Sequence, residues 1–172
     1  MLILAYLKKL VAILNDKASP KQIAGAVAIG AIIGLLPGFS LLSLFIFIVL
    51  FLVNVNLSAA FFSIALFKPI GFILDPIAHR LGLFFLVDLP FLKPIWTALY
   101  NIPFIPFSRF NNTVVMGSLI IGIILWIPIF ILVQRGIIVY RERWLKKVEQ
   151  FKIMKILKAT SLFNFLSGSS NS

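Results

Sequence analysis

Between residues 68 and 80, four ionisable side chains, Lys68, Asp75, His79 and Arg80, stand among almost wholly apolar neighbours. Buried in a bilayer, such groups need partners or water, which makes them the first site candidates. Asp75 and His79 are four residues apart, a spacing that puts a carboxylate and an imidazole on one helical face, where they could relay a proton or hold a lipid head group. The competing reading is structural. Asp75-Pro76 reads as a helix cap followed by a first-turn proline, and Lys68-Pro69 as a second break, so the chain would simply surface here. One His with one nearby acid makes neither a metal site nor a catalytic triad. There is no cysteine and no hydrolase or transferase motif, so no enzyme, metal or cofactor is expected.

The elements that position these groups belong to a membrane protein. Of 172 residues 61% are apolar, 18 are Phe and 12% are charged, whereas soluble domains are about half apolar. Sixteen basic residues against five acidic ones, with a mean hydropathy of +1.09, point to anionic lipid as the counter-charge and not to nucleic acid. Lys8, Lys9, Lys17 and Lys21 oppose Asp16 at the start of the chain. From residue 111 onward eight cations oppose Glu142 and Glu149. By the positive-inside bias both ends read cytoplasmic, which requires an even number of complete crossings.

The uncharged run 22–67 is about twice the length of one crossing and must bend, whereas 111–134 fits one transmembrane helix, with Pro128 predicting a kink. Ser19-Pro20-Lys21-Gln22 is a capping-box start for a helix from 20 to 36. Leu36-Pro37-Gly38 stops it, and Ser40 can cap a second helix, 41 to 53. Each arm, near 20 to 25 Å long, falls short of the roughly 30 Å hydrocarbon core. Residues 20–53 therefore form either a re-entrant hairpin with its tip at Pro37-Gly38 or one element kinked in mid-bilayer, the hairpin being favoured. Ala26, Gly30, Gly34 and Gly38 recur every fourth residue, giving a face almost without side chains. It serves either close helix packing or a passage of the kind discontinuous helices make in transporters.

Ser19-Pro20-Lys21-Gln22-Ile23-Ala24, Ala28-Ile29-Gly30, Gly34-Leu35-Leu36-Pro37-Gly38 and Asn56-Leu57-Ser58-Ala59-Ala60, in this order, resemble a bacterial membrane family designated domain of unknown function 2062. The likeness covers about residues 17–88. Lys68-Pro69 departs from it, standing where that family usually has Asn-Pro. The resemblance implies no reaction. It does imply a context, because relatives of this longer form resemble proteins encoded beside a very large AsmA-like lipid-transfer protein that bridges the periplasm.

Residues 89–109 carry Pro90, Pro94, Pro103 and Pro106 among Phe91, Trp96, Tyr100 and Phe107. Too broken to span and too apolar for a free loop, this segment is expected at the periplasmic interface, with Trp96 and Tyr100 as anchors or as a docking surface. Residues 1–16 predict an amphipathic surface helix with a stripe of Ile3, Leu7, Leu10 and Leu14. Residues 136–158 predict a basic amphipathic helix with Trp144, Val148, Phe151 and Met154 on its apolar side, and 159–172 a flexible tail.

The expectation is thus an all-α integral membrane protein of a bacterial inner membrane, multi-pass, with one membrane domain over 1–158. Its expected role is that of a small subunit that anchors the AsmA-like partner and helps phospholipid leave the bilayer. A homodimeric secondary transporter using Lys68, Asp75 and His79, or a purely structural anchor, are the alternatives. Ala26, Gly30, Gly34, Pro37, Gly38, Lys68, Asp75, His79, Arg80, Trp96 and Tyr100 are the candidate lipid or partner contacts.

Overall fold

A computed structural model of the chain describes residues 2–38 and 40–144. Among them every regular element is helical: α1 (Leu2–Leu14), α2 (Pro20–Leu35), α3 (Leu41–Leu52), α4 (Leu57–Leu83), α5 (Lys93–Tyr100) and α6 (Thr113–Val139). π-Helical turns extend α4 over Phe84–Asp88 and α6 over Tyr140–Trp144, and 3-10 turns form at Pro90–Leu92 and Ile105–Ser108. The tail from 145 onward, with most of the basic amphipathic helix expected at its start, lies outside the described residues.

Local chemistry sets the ends of the helices. Ser19 Oγ accepts from the Gln22 amide at 3.2 Å while the Ser19 amide donates to Gln22 Oε1 at 2.9 Å, so the capping box forms at the residues the sequence marks. Leu36 is extended, the conformation favoured before proline, and Gly38 takes φ +64°, a left-handed turn that favours glycine. Ser40 caps α3 with Ser43 closing a second box. Asn56 and Asn112 cap α4 and α6 through the amides of Ala59 and of Val114 and Val115.

The core is the packing of α2, α4 and α6 upon one another. A Cβ on Gly30 would lie 2.6 Å from the Ala60 carbonyl oxygen, and one on Gly34 would lie 2.8 Å from Phe67 Cβ. The Ala26-Gly30-Gly34 stripe therefore lies against α4, with Ala26 fully buried. Ser63 in α4 donates from Oγ to the Val27 carbonyl at 2.7 Å and ties the two backbones together. These contacts advance along both helices together, so α2 and α4 run parallel. Gly82 and Gly117 bring α4 against α6 in the opposite sense, meeting the backbones of Thr113 and Ala78. In both seams small residues let the helices approach to close backbone contact.

Helices α2 and α3 form a hairpin. At its open end the Asn56 amide donates to the Gln22 carbonyl at 3.4 Å. Its tip stops beside Gly71, where a Cβ would be 3.1 Å from the Leu35 carbonyl oxygen. At about 1.5 Å per residue that is roughly 20 Å along a helix of roughly 40 Å. The outer face of α3 is apolar and exposed at Leu41, Leu44, Phe45, Ile48, Phe51 and Leu52.

Three expectations about boundaries are corrected. Lys68-Pro69 and Asp75-Pro76 do not break the chain, because α4 runs through both prolines. Both proline rings lie on exposed positions, where the loss of one backbone bond each is met without a clash in the core. The expected gap near residue 135 is also absent, α6 continuing through Arg135 and Gly136. In α1 Ile13 is buried in the core with Leu14 of the expected stripe packed beside it, Tyr6 meets Phe62, and Leu7 and Leu10 of the same stripe are exposed.

One end of the bundle is knotted by polar contacts. Arg141, beyond the end of α6, donates to the carbonyls of Leu14, Ala18 and Asp16 at 3.2, 3.0 and 2.7 Å. Asn56 Nδ2 donates to Asp16 Oδ2 at 2.8 Å. The end of α1 and the end of α6 therefore lie together.

Candidate functional site

The hairpin tip is the place where the backbone runs out of helix inside the bundle. The last carbonyls of α2 have no partner in their own helix, and the C-terminal end of a helix carries partial negative charge. Lys68 meets both needs, donating from Nζ to the Leu36 carbonyl at 2.7 Å while lying 5.9 Å over the Phe72 ring. It is a cross-helix cap supplied by α4.

Asp75 lies one turn beyond Gly71 on the same face of α4, just past the tip. It is half-buried and, among the described residues, its carboxylate makes no hydrogen bond or ion pair. His79 does not turn to it. Its Nδ1 lies 2.6 Å from Thr113 Oγ1, joining α4 to the start of α6. The structure thus brings His79 together with Thr113, and leaves the pair expected for a proton relay unbonded. Arg80 is exposed. Among the described residues no three of His, Cys, Asp and Glu stand close enough to hold a metal ion.

The segment after α4 folds back over this end of the bundle. Trp96 donates from Nε1 to the Phe85 carbonyl at 3.0 Å, satisfying a carbonyl of the π turn, and its ring lies 6.2 Å from that of Phe110. Trp96 is half-buried and spent on holding α5 in place, whereas Tyr100 is exposed. Of the glycine stripe, Ala26, Gly30 and Gly34 are sealed under α4, leaving no passage along that face, while Gly38 is exposed at the turn and Pro37 half-buried.

A feature that sequence reasoning missed lies between the tip and the returning segment. A groove of about 510 Å³ is lined by Ser40, Leu41, Leu44, Pro106, Phe107 and Arg109. Phe104 and Arg109 take left-handed backbone conformations, φ 71° and 58°, on either side of the Ile105–Ser108 turn. Each costs about 1–2 kcal/mol in a residue with a side chain. The Pro103 and Pro106 spacing could have signalled a turn here. Nothing local could have placed it against α3, because the two walls are brought together by the fold.

The fold and the tip define a class: a helical bundle in which two helices, Leu57–Asp88 and Thr113–Glu142, are long and apolar enough to cross a membrane, with a shorter helical hairpin packed beside them. The chain belongs to the DUF2062 family, described as uncharacterized protein conserved in bacteria, whose model matches residues 5–146. It is 31% identical over 149 residues to an uncharacterized protein of Treponema pallidum (strain Nichols), an alignment covering 87% of this chain and 91% of that one. No solved structure matches.

Proposed function

We propose that this protein is the small inner-membrane subunit of a lipid-transfer assembly, with α4 and α6 crossing the bilayer, both chain ends cytoplasmic, and the α2–α3 hairpin re-entrant. The observation that carries the reading is a hairpin that ends about halfway along α4 with an apolar outer face and a lysine-capped tip. An arm of roughly 18 to 24 Å cannot cross a hydrocarbon core of about 30 Å. Backbone at such depth is tolerated where protein satisfies its polar groups, as Lys68 does at Leu36. Lipid facing α3 would meet the end of a helix partway through one leaflet, where acyl packing is disturbed. The distal segment, pinned by Trp96 and exposing Phe91 and Tyr100, offers the surface on which a periplasmic partner would sit. The AsmA-like nature of that partner comes from the family resemblance.

The test is purification of the tagged full chain in mild detergent, with mass spectrometry of co-purifying proteins and lipids. A much larger periplasmic protein at fixed stoichiometry, lost on Tyr100→Ala, is the expected result. Recovery of the chain with no such partner under conditions that preserve its fold would overturn the reading.

A further inference from the structure

We propose that the groove at the hairpin tip is a binding site for one anionic glycerophospholipid, with Arg109 on the phosphate and an acyl chain lying along the outer face of α3. This deepens the reading above and rests on it, because it takes the bundle to stand in a bilayer.

Four of the six lining residues, Leu41, Leu44, Pro106 and Phe107, are apolar, and Arg109 is the one charged group among them. Among the described residues no carboxylate or hydrogen-bond acceptor engages the Arg109 side chain. Its neighbours in sequence, Phe104 and Phe107, are among the most exposed large apolar residues of the molecule. Arg109 is itself exposed, free to meet an anion at the mouth of the groove, and its planar fork of donors matches a phosphate diester. Ser40 adds little to that polarity, since its hydroxyl is engaged with Ser43 at the start of α3.

The apolar part of the ligand follows from continuity. Leu41 and Leu44 belong both to the groove and to the exposed face that continues through Phe45, Ile48 and Phe51. That face runs along α3 for roughly 15 Å, about the length of an acyl chain in one leaflet. A cation at the head of an apolar track fits an anionic amphiphile. A free anion would use the arginine and leave the track unexplained. The two left-handed residues that flank the Ile105–Ser108 turn bring Arg109 to this wall.

The test uses the full chain in phosphatidylcholine nanodiscs carrying a few per cent of phosphatidylglycerol with a photoactivatable group in mid acyl chain. Peptide mapping should place the label on α3 near Leu44 to Ile48. Arg109→Asn, which removes the charge but keeps a residue at home in the left-handed region, should lower that labelling about tenfold. Leu44→Trp, which fills the groove with Arg109 intact, should lower it comparably, while Arg135→Gln, at an exposed cation of α6 outside the groove, should not. Circular dichroism and melting of each variant confirm that the bundle is folded. Labelling of α3 unaffected by Arg109→Asn and Leu44→Trp, or displaced by millimolar inorganic phosphate, would overturn the site. Loss of labelling control with the periplasmic partner still captured refutes this site alone. Labelling as expected with no partner captured refutes the assembly and leaves the site standing.

Discussion

Replacing Gly30 by Ala tests the central claim about how this bundle holds together. The new Cβ would stand 2.6 Å from the Ala60 carbonyl oxygen and 2.9 Å from Ser63 Cβ, both on α4 and both hard to move. Restoring ordinary contact at 3.4 Å requires α2 and α4 to separate by about 0.8 Å. The same movement would stretch the Ser63 to Val27 bond from 2.7 Å to about 3.5 Å, the limit of a hydrogen bond. Overpacking of this kind costs about 1–3 kcal/mol, and an interhelical bond in such a setting contributes about 0.6 kcal/mol. Against this, alanine gains about 0.5–1 kcal/mol over glycine in a helix. The net expectation is a loss of about 1–3 kcal/mol. Gly136, in α6 with nothing within 4 Å of where its Cβ would be, provides the comparison, and Gly136→Ala should stabilise by the propensity difference alone. The assay is equilibrium unfolding of both variants in mixed mild detergent and dodecyl sulfate, followed by circular dichroism. Two variants of equal stability would refute the close-packed seam.

Lys68→Met keeps the length of the side chain but removes the donor from the Leu36 carbonyl, and a bond from a charged group of this kind contributes about 1.5–3 kcal/mol. Amide exchange at Leu35 and Leu36, the last bonded amides of α2, should accelerate at least tenfold while the middle of α6 is unchanged, and unchanged exchange there would remove Lys68 as the cap. Arg141→Gln gives up the fork that binds the carbonyls of Leu14, Asp16 and Ala18. Exchange over residues 14–18 should rise roughly 30-fold with α4 unaffected, and a uniform rise throughout the bundle would show that the knot is part of the core instead of a separate clasp.

The tip of the hairpin was legible from residue types because its grammar is local. Pro37 biases Leu36 away from helix, Gly38 after it readily takes positive φ, and Ser19 with Gln22 closes a box within one turn. The prolines of α4 mislead for a related reason. Locally Lys68-Pro69 and Asp75-Pro76 look like helix starts, but α4 is held on one side by α2 and on the other by α6, and packing carries it past two missing amides. Asp75 and His79 show the same limit. Their spacing places them on one face, yet which partner a side chain takes is settled by the neighbour that arrives, and Thr113 arrives from another helix.

What the sequence determined by itself was the helical class, the family, the stops and caps of α2 and α3, and the stripe of small residues that demands close contact. Each depends on backbone preferences or composition within a few residues. Only the tertiary structure decided that the stripe meets α4 in parallel, that Lys68 caps a foreign helix, and that Arg109 faces α3 across a groove. Those are contacts between segments tens of residues apart, and the free energy that selects them comes from packing surfaces together, which no single stretch of chain contains.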